Sequence, residues 1–186
     1  MNKSQLRQEC RVHRASLSEV AYQQLNSQLV EVLFATYSFT GAVHCFLPAE
    51  QQREVNTWPI VRRLWAKPSV RVLAPRCRPL GELSHHLLDA RTSLKNNRWG
   101  IPEPGGSPEQ AVSAIDWVLV PLVAFDRRGH RVGYGKGFYD RFLADCRPDT
   151  QKIGLSLFSP VESIDDVNEQ DVSLDAVVLP DQVWTF

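Results

Sequence analysis

From position 126 the chain reads Asp126-Arg-Arg-Gly129-His-Arg131-Val-Gly133-Tyr134-Gly135-Lys136-Gly137-Phe138-Tyr139-Asp140-Arg141. Asp126 to Gly129 has the composition of a hairpin tip. Gly133, Gly135 and Gly137 alternate, which lets the backbone come close to a ligand and adopt positive φ. The residues that follow have a helical pattern, and exposed N–H groups at a helix start favour an anion. Lys136 adds a mobile cation, and Arg131 a forked donor that matches phosphate oxygens. The spacing is neither the Walker A pattern nor the dinucleotide fingerprint. The plainer alternative is a flexible glycine turn between hairpin and helix. Asp140 falls in the first helical turn, where a carboxylate suits the dipole. Beside a polyphosphate it would be repelled unless Mg²⁺ lay between them, so Asp140 is a metal-ligand candidate conditional on a nucleotide.

A second cluster of cations opens the chain. On a helix at 100° per residue, Lys3, Arg7, Arg11 and Arg14 fall within about an 80° arc. Only Glu9 is acidic before Glu19, so i,i+4 ion pairs do not account for the stripe. It suits phosphate, whether of a nucleotide or of a nucleic acid, and the alternative is a solvated charged face.

These residues need a scaffold, and the 186 residues suffice for a single domain spanning 1–186. Twenty-one basic and 21 acidic residues leave no net charge, hence no global field to gather nucleic acid or an anionic membrane. An RNA-binding module also lacks its aromatic pattern. Cys10, Cys45, Cys77 and Cys146 are scattered, with no CxxC pair, which excludes a thiol-redox motif or a cysteine zinc site. No signal peptide or membrane span is legible, so a cytoplasmic location is expected.

A polar helix is expected over 3–15. A second, started by a capping box at Ser16 and Glu19, runs to about residue 37 on Val20, Leu25, Leu29, Val30, Leu33 and Phe34. Strands are expected at 42–47, 70–74, 83–88, 117–123, 152–157 and 176–179. A helix with Pro59 in its first turn carries Ile60, Val61, Leu64 and Trp65 inward, and another covers 137–146. Residues 98–106, rich in Gly and Pro, read as a loop. Strands alternating with helices imply an α/β fold: a mostly parallel sheet with helices on both faces, a three-layer αβα arrangement. Ligands then bind at the carboxyl ends of strands, after residues 47, 74 and 123. His44 reads as a hydrogen-bonded core residue, His130 as solvated, and adjacent His85 and His86 as a poor chelating pair.

The stretch Pro121-Leu-Val-Ala-Phe-Asp126, followed by Gly129-x-Arg131-x-Gly133-Tyr-Gly-Lys-Gly-Phe-Tyr-Asp140-Arg-x-Leu143, resembles the signature of the 5-formyltetrahydrofolate cyclo-ligase family. Lys3-x-x-x-Arg7, Phe46-Leu47, Glu54-Val55-x-Thr57, Trp99-Gly-Ile-Pro-Glu-Pro104 and Asn168-Glu-x-Asp171 extend the likeness over nearly the whole chain. The resemblance implies ATP- and Mg²⁺-dependent conversion of 5-formyltetrahydrofolate into 5,10-methenyltetrahydrofolate, with ADP and phosphate released. It implies that Lys3, Arg7, Arg131 and Lys136 hold ATP, with Gly133, Tyr134, Gly135, Gly137, Phe138 and Tyr139 completing the phosphate loop. Arg131 and Lys136 would serve catalysis, and Asp140 and Asp171 would hold Mg²⁺. Leu47, Glu54, Trp99, Tyr134 and Phe138 would line the folate pocket, Glu54 accepting from pterin N–H groups, with Glu50 as its alternative. The expected partners are these small molecules, not nucleic acid or membrane, and a monomer is expected.

Overall fold

The computed structural model describes residues 1–186; the side chain of Glu50 lies outside the described residues. Helix α1 spans Lys3–Ser16 and α2 spans Glu19–Thr36. The capping box sits at the start of α1, not of α2. Asn2 accepts from the Gln5 N–H at 2.9 Å, and the Gln5 side chain accepts from the Asn2 N–H at 3.0 Å. Ser16, expected to begin the second helix, closes the first, its hydroxyl donating to the His13 carbonyl. Ser18 caps α2 by accepting from the Ala21 N–H at 3.1 Å. Leu29, Val30 and Leu33 face inward. Val20 does not: it is 76% exposed, since nine residues before Leu29 it lies about 180° round the helix.

Strands β1 (Gly41–Cys45), β2 (Val70–Cys77), β3 (Leu83–Leu87), β4 (Ser93–Asn96), β5 (Pro102–Gly105) and β6 (Glu109–Gln110) follow, with α3 (Trp58–Trp65) between β1 and β2. Then come β7 (Trp117–Pro121), β8 (Ala124–Phe125), β9 (Arg131–Val132), α4 (Phe138–Ala144), β10 (Gln151–Leu155), β11 (Ala176–Val178) and β12 (Val183–Thr185). Eight strands form one sheet in the order β12-β11-β10-β7-β1-β2-β3-β6. The five from β11 to β2 are parallel, while β12, β3 and β6 are antiparallel at the edges. One face packs on α2 and α3 through Leu33, Val61, Leu64, Val43 and Leu119. The other packs on α4 through Phe142 and Leu143 against Val118, Val120 and Val177. This is the expected three-layer αβα fold, with α4 only seven residues long.

The segment 98–106, expected as a loop, contributes β5, which pairs antiparallel with β4. Proline is tolerated there because the ribbon has two strands only and leaves an unpaired side. His44 is fully buried but, contrary to expectation, neither ring nitrogen has a hydrogen-bond partner among the described residues. Its ring packs against Phe142 and His85 at 4.7 and 5.0 Å, and burial holds its pKa well below the ordinary value, so it stays neutral. His130, expected to be solvated, is half-buried with Nδ1 3.2 Å from the Asp126 carboxylate.

Gly154 in β10 shows how closely the α4 face is filled. A Cβ there would meet Leu122 and Leu174 methyls at 2.7 Å and Val177 at 2.9 Å. Gly154→Ala is therefore expected to destabilise the fold by about 1–3 kcal/mol. In urea the unfolding midpoint should fall with an unchanged slope.

Candidate active site

The chain enters the sheet at β1, builds outward through β2, then returns to place β7 on the other side of β1. In an open α/β sheet this reversal leaves a crevice beyond the carboxyl ends of the two strands. A cavity of 650 Å³ lies there, lined by Phe46 and Leu47 after β1 and by Pro121, the last residue of β7, and Val123 beyond it. That volume suits small-molecule ligands.

The glycine segment forms one wall. Strands β8 and β9 make a hairpin whose tip is held by the fully buried Asp126 carboxylate, which accepts from the N–H groups of Arg128 (2.9 Å), His130 (3.0 Å) and Ile164 (3.3 Å). The hairpin delivers Gly133, and the loop turns into α4 through Gly135 at φ 83° and Gly137 at φ 68°. Both conformations favour glycine. A Cβ on Gly135 would also stand 3.3 Å from the Arg7 guanidinium. With α4 so short, side-chain cations rather than a helix dipole dominate the field here.

Those cations come largely from α1, whose basic stripe turns toward the cavity. Lys3, Arg7, Arg11 and Arg14 all line it. Arg7 Nε donates to the Gly133 carbonyl at 2.7 Å, docking the helix on the loop. Lys3 Nζ contacts Asp171 Oδ2 at 2.5 Å, and the Asn168 N–H donates to the same oxygen at 2.8 Å. The exposed Lys136 side chain reaches the same space from the loop.

Arg131 departs from the free fork anticipated from sequence. It is 5% exposed; Nη1 donates to the Val172 carbonyl, and Nη2 donates to Asp140 Oδ1 at 2.7 Å. Burial pulls its pKa down while the Asp140 carboxylate opposes that. The Val172 N–H also approaches Asp140 Oδ1 at 3.4 Å, so the residue after Asp171 touches Asp140 directly. The two carboxylates thus share one corner, each with one oxygen outside the hydrogen bonds found among the described residues. Among those residues, no group of three or more His, Cys, Asp or Glu is placed to hold a metal.

A further part of the lining is apolar and aromatic, with one buried acid. Leu47 is buried, and Trp99 meets Phe138 edge-on at 6.0 Å. Glu54 is 6% exposed, and its Oε2 accepts from the Ala49 N–H at 2.6 Å. Burial pushes its carboxyl pKa up, against the Tyr134 hydroxyl, the Ala49 N–H and Arg14. The alternative acid, Glu50, has its side chain outside the described residues. Tyr134 also lines the cavity, its hydroxyl accepting from Arg14 Nη1 at 2.9 Å. Tyr139 lines the cavity, but its hydroxyl is buried with no partner among the described residues, and burial drives its pKa well above the phenol range.

All the site residues expected from sequence therefore border one cavity: Lys3, Arg7, Leu47, Glu54, Trp99, Arg131, Asp171 and the run from Gly133 to Asp140. Sequence reasoning left Arg14 in the stripe without a role, yet it is buried and ties Tyr134 to the Leu122 carbonyl at 2.7 Å. Its position on the Lys3–Arg7 face was the available signal. Glu103, also on the wall, carried none beyond its place in the Trp99 loop.

Comparison with known proteins agrees along the whole length. The 5-formyltetrahydrofolate cyclo-ligase family model matches residues 1–180. The 5-formyltetrahydrofolate cyclo-ligase of Escherichia coli K12 is 35% identical over 138 residues, 72% of this chain and 75% of that protein. That of Saccharomyces cerevisiae is 32% identical over 178 residues, 83% and 82% of the respective chains. The NMR structure of Aquifex aeolicus 5,10-methenyltetrahydrofolate synthetase superposes with a TM-score of 0.85 at 26% identity, covering 100% of this chain and 93% of that one. A glycine loop, a basic helix and an aromatic wall that could each have arisen separately thus occur together, in one order and on one fold: the chain belongs to the 5-formyltetrahydrofolate cyclo-ligase family.

Proposed function

We propose that the protein is an ATP- and Mg²⁺-dependent ligase that closes 5-formyltetrahydrofolate to 5,10-methenyltetrahydrofolate, releasing ADP and phosphate. The observation that carries this reading is one shared cavity at the β1–β7 reversal, lined both by the cation-rich glycine segment and by aromatic residues beside a buried carboxylate. Two reactants, one polyanionic and one a planar ring, could meet there in line.

A formamide oxygen is a poor leaving group. The formyl oxygen attacks the γ-phosphorus; the new O–P bond forms as the bond to the β-phosphate oxygen breaks, and ADP departs. N10 then adds to the activated formyl carbon, loses its proton to solvent, and the carbon–oxygen bond breaks to release phosphate. No protein nucleophile is required; positioning and charge neutralisation suffice. Lys3, Arg7 and Lys136 would hold the triphosphate along the 133–137 backbone. Arg131 would keep Asp140 aimed at the same corner and add positive charge behind it. Asp140 and Asp171, adjacent and each with an available oxygen, suit Mg²⁺, which takes one or two carboxylates together with phosphate oxygens. When bound, the ion would neutralise charge building on the transferred phosphoryl group. Glu54 would accept from pterin N–H donors, with Leu47, Trp99, Tyr134 and Phe138 packing round the rings.

Purified protein incubated with 5-formyltetrahydrofolate and Mg-ATP should develop near-ultraviolet methenyl absorbance, with one ADP per product. No product across pH and metal conditions would overturn the proposal. Within it, the Arg7→Ala/Lys136→Ala double variant should lose at least about tenfold in ATP affinity, from charge-assisted contacts removed, while folate affinity is retained. Calorimetry with each ligand alone checks this, and equal ATP affinity in variant and parent would refute the clamp.

A further inference from the structure

The hairpin that carries Trp99 is tied down by two side chains to which the proposed reaction gives no role. Asn97 begins the turn between β4 and β5. Its Oδ1 accepts from the backbone N–H groups of Trp99 at 2.9 Å and Ile101 at 3.2 Å. The Asn97 N–H donates to the Ile101 carbonyl at 2.9 Å, and Gly100, at φ 75°, donates to the Asn97 carbonyl at 3.0 Å. Asn97 Nδ2 donates to Glu103 Oε1 on the facing strand at 2.7 Å. That oxygen also accepts from the Cys77 N–H, at the end of β2, at 3.0 Å. One carboxylate oxygen thus joins the turn bearing Trp99 to the main sheet, beside a longer contact of Asn97 Nδ2 with Cys77 Sγ at 3.8 Å.

A two-stranded ribbon is marginal by itself, and this one contains Pro102 and Pro104. Its orientation must come from ties to the body of the protein. The Trp99 indole has the Arg98 guanidinium 4.2 Å over its ring and Phe138 edge-on, and it borders the cavity. We infer that Asn97 and Glu103 are positioning residues that fix the Trp99 indole at the cavity wall, and so set affinity for a planar-ring substrate without affecting nucleotide. The identity of that ring as a reduced folate rests on the reading above.

A direct contact between Glu103 and substrate is the competing explanation, because Glu103 itself borders the cavity. The variants separate the two. Glu103→Gln keeps an oxygen able to accept from both Asn97 and Cys77, whereas Glu103→Ala does not. In ¹⁵N–¹H spectra of ligand-free protein, with the Trp99 indole signal assigned through Trp99→Phe, Glu103→Ala and Asn97→Ala should displace that signal. Glu103→Gln should leave it in place. By calorimetry, Glu103→Ala and Asn97→Ala should weaken 5-formyltetrahydrofolate binding about tenfold or more, the scale of one hydrogen bond to a charged group. Glu103→Gln should stay within about threefold of the parent, near the limit of additivity error. ATP affinity should be the same throughout. The Trp99→Ala/Glu103→Ala double variant should bind folate no more weakly than Trp99→Ala alone. An unmoved indole signal in Glu103→Ala, a Glu103→Gln variant as weak as the alanine, or additive losses in the double variant would each overturn the inference. The spectral comparison needs no ligand, so absent turnover would remove the cyclo-ligase reading while leaving the positioning result standing or falling separately.

Discussion

Asp140→Asn should lower Mg²⁺-dependent turnover by well over a hundredfold. Losing even an outer-shell partner of a metal ligand costs about 10–100-fold, so a ligand itself should exceed that range. Asparagine is the informative substitution. Its side-chain oxygen can still accept from Arg131 and the Val172 N–H, which now engage Asp140 Oδ1, so the corner should keep its geometry while losing its negative charge. The expected pattern is an unfolding midpoint near that of the parent, metal-free ATP binding preserved, and a Mg²⁺ titration that no longer restores activity. A parent-like Mg²⁺ titration would remove Asp140 from the metal site. Comparable loss of stability and activity would make it a structural partner of Arg131 instead.

Glu54→Gln should move stability and substrate affinity in opposite directions. Burial raises the Glu54 carboxyl pKa above the ordinary value of 4.5, so the folded protein holds this proton more tightly than the unfolded chain. Stability then falls as pH rises from the unfolded pKa through the folded one. Glutamine removes that penalty, and the variant should melt above the parent near neutrality, with the advantage vanishing below the ordinary carboxylate range. Folate binding should weaken by about 1.5–3 kcal/mol, the value of hydrogen bonds to a charged group. In the parent, folate affinity should fall on acidification at a pH above the usual glutamate range, and the variant should lack that dependence. Melting curves and calorimetry across pH test both. Unchanged folate affinity with lower stability at neutral pH would contradict both expectations.

Much of this architecture was legible in the chain. Five parallel strands and their helices announce themselves through apolar runs such as 117–123, and the glycine segment by its composition. What escaped had local causes. Ser16-x-x-Glu19 carries the letters of a capping box, but Ser18 makes the cap, and a cap two residues away leaves the hydrophobic phase almost unchanged. The β4–β5 ribbon was hidden by Pro102, Pro104 and Gly105, residues depleted in strands generally yet harmless on a ribbon's free side. The stripe at Lys3, Arg7, Arg11 and Arg14 was visible as a stripe, but its direction was not: Asp171 and Gly133, which draw it inward, lie far along the chain. For the same reason Arg131 read as a free donor, since Val172 and Asp140 are neighbours only in space.

Helix α1 brings just one fully apolar anchor, Leu6, into a small cluster with Val123, Ala124, Val132 and Ile164, whereas α2 sinks three residues into the main core. Besides the stack of His13 on Phe158 at 4.0 Å, its ties include Lys3, Arg7 and Arg14, the side chains that also fringe the void. An anionic occupant drawn to those cations would act as mortar between helix and hairpin. Resistance to heat and to proteolytic nicking at the α1–α2 junction would then track occupancy, rising by about 2.7 kcal/mol when the occupant is present at a hundred times its dissociation constant. Sturdiness in a nucleotide-rich medium would exceed that in plain buffer, with no change in the fold.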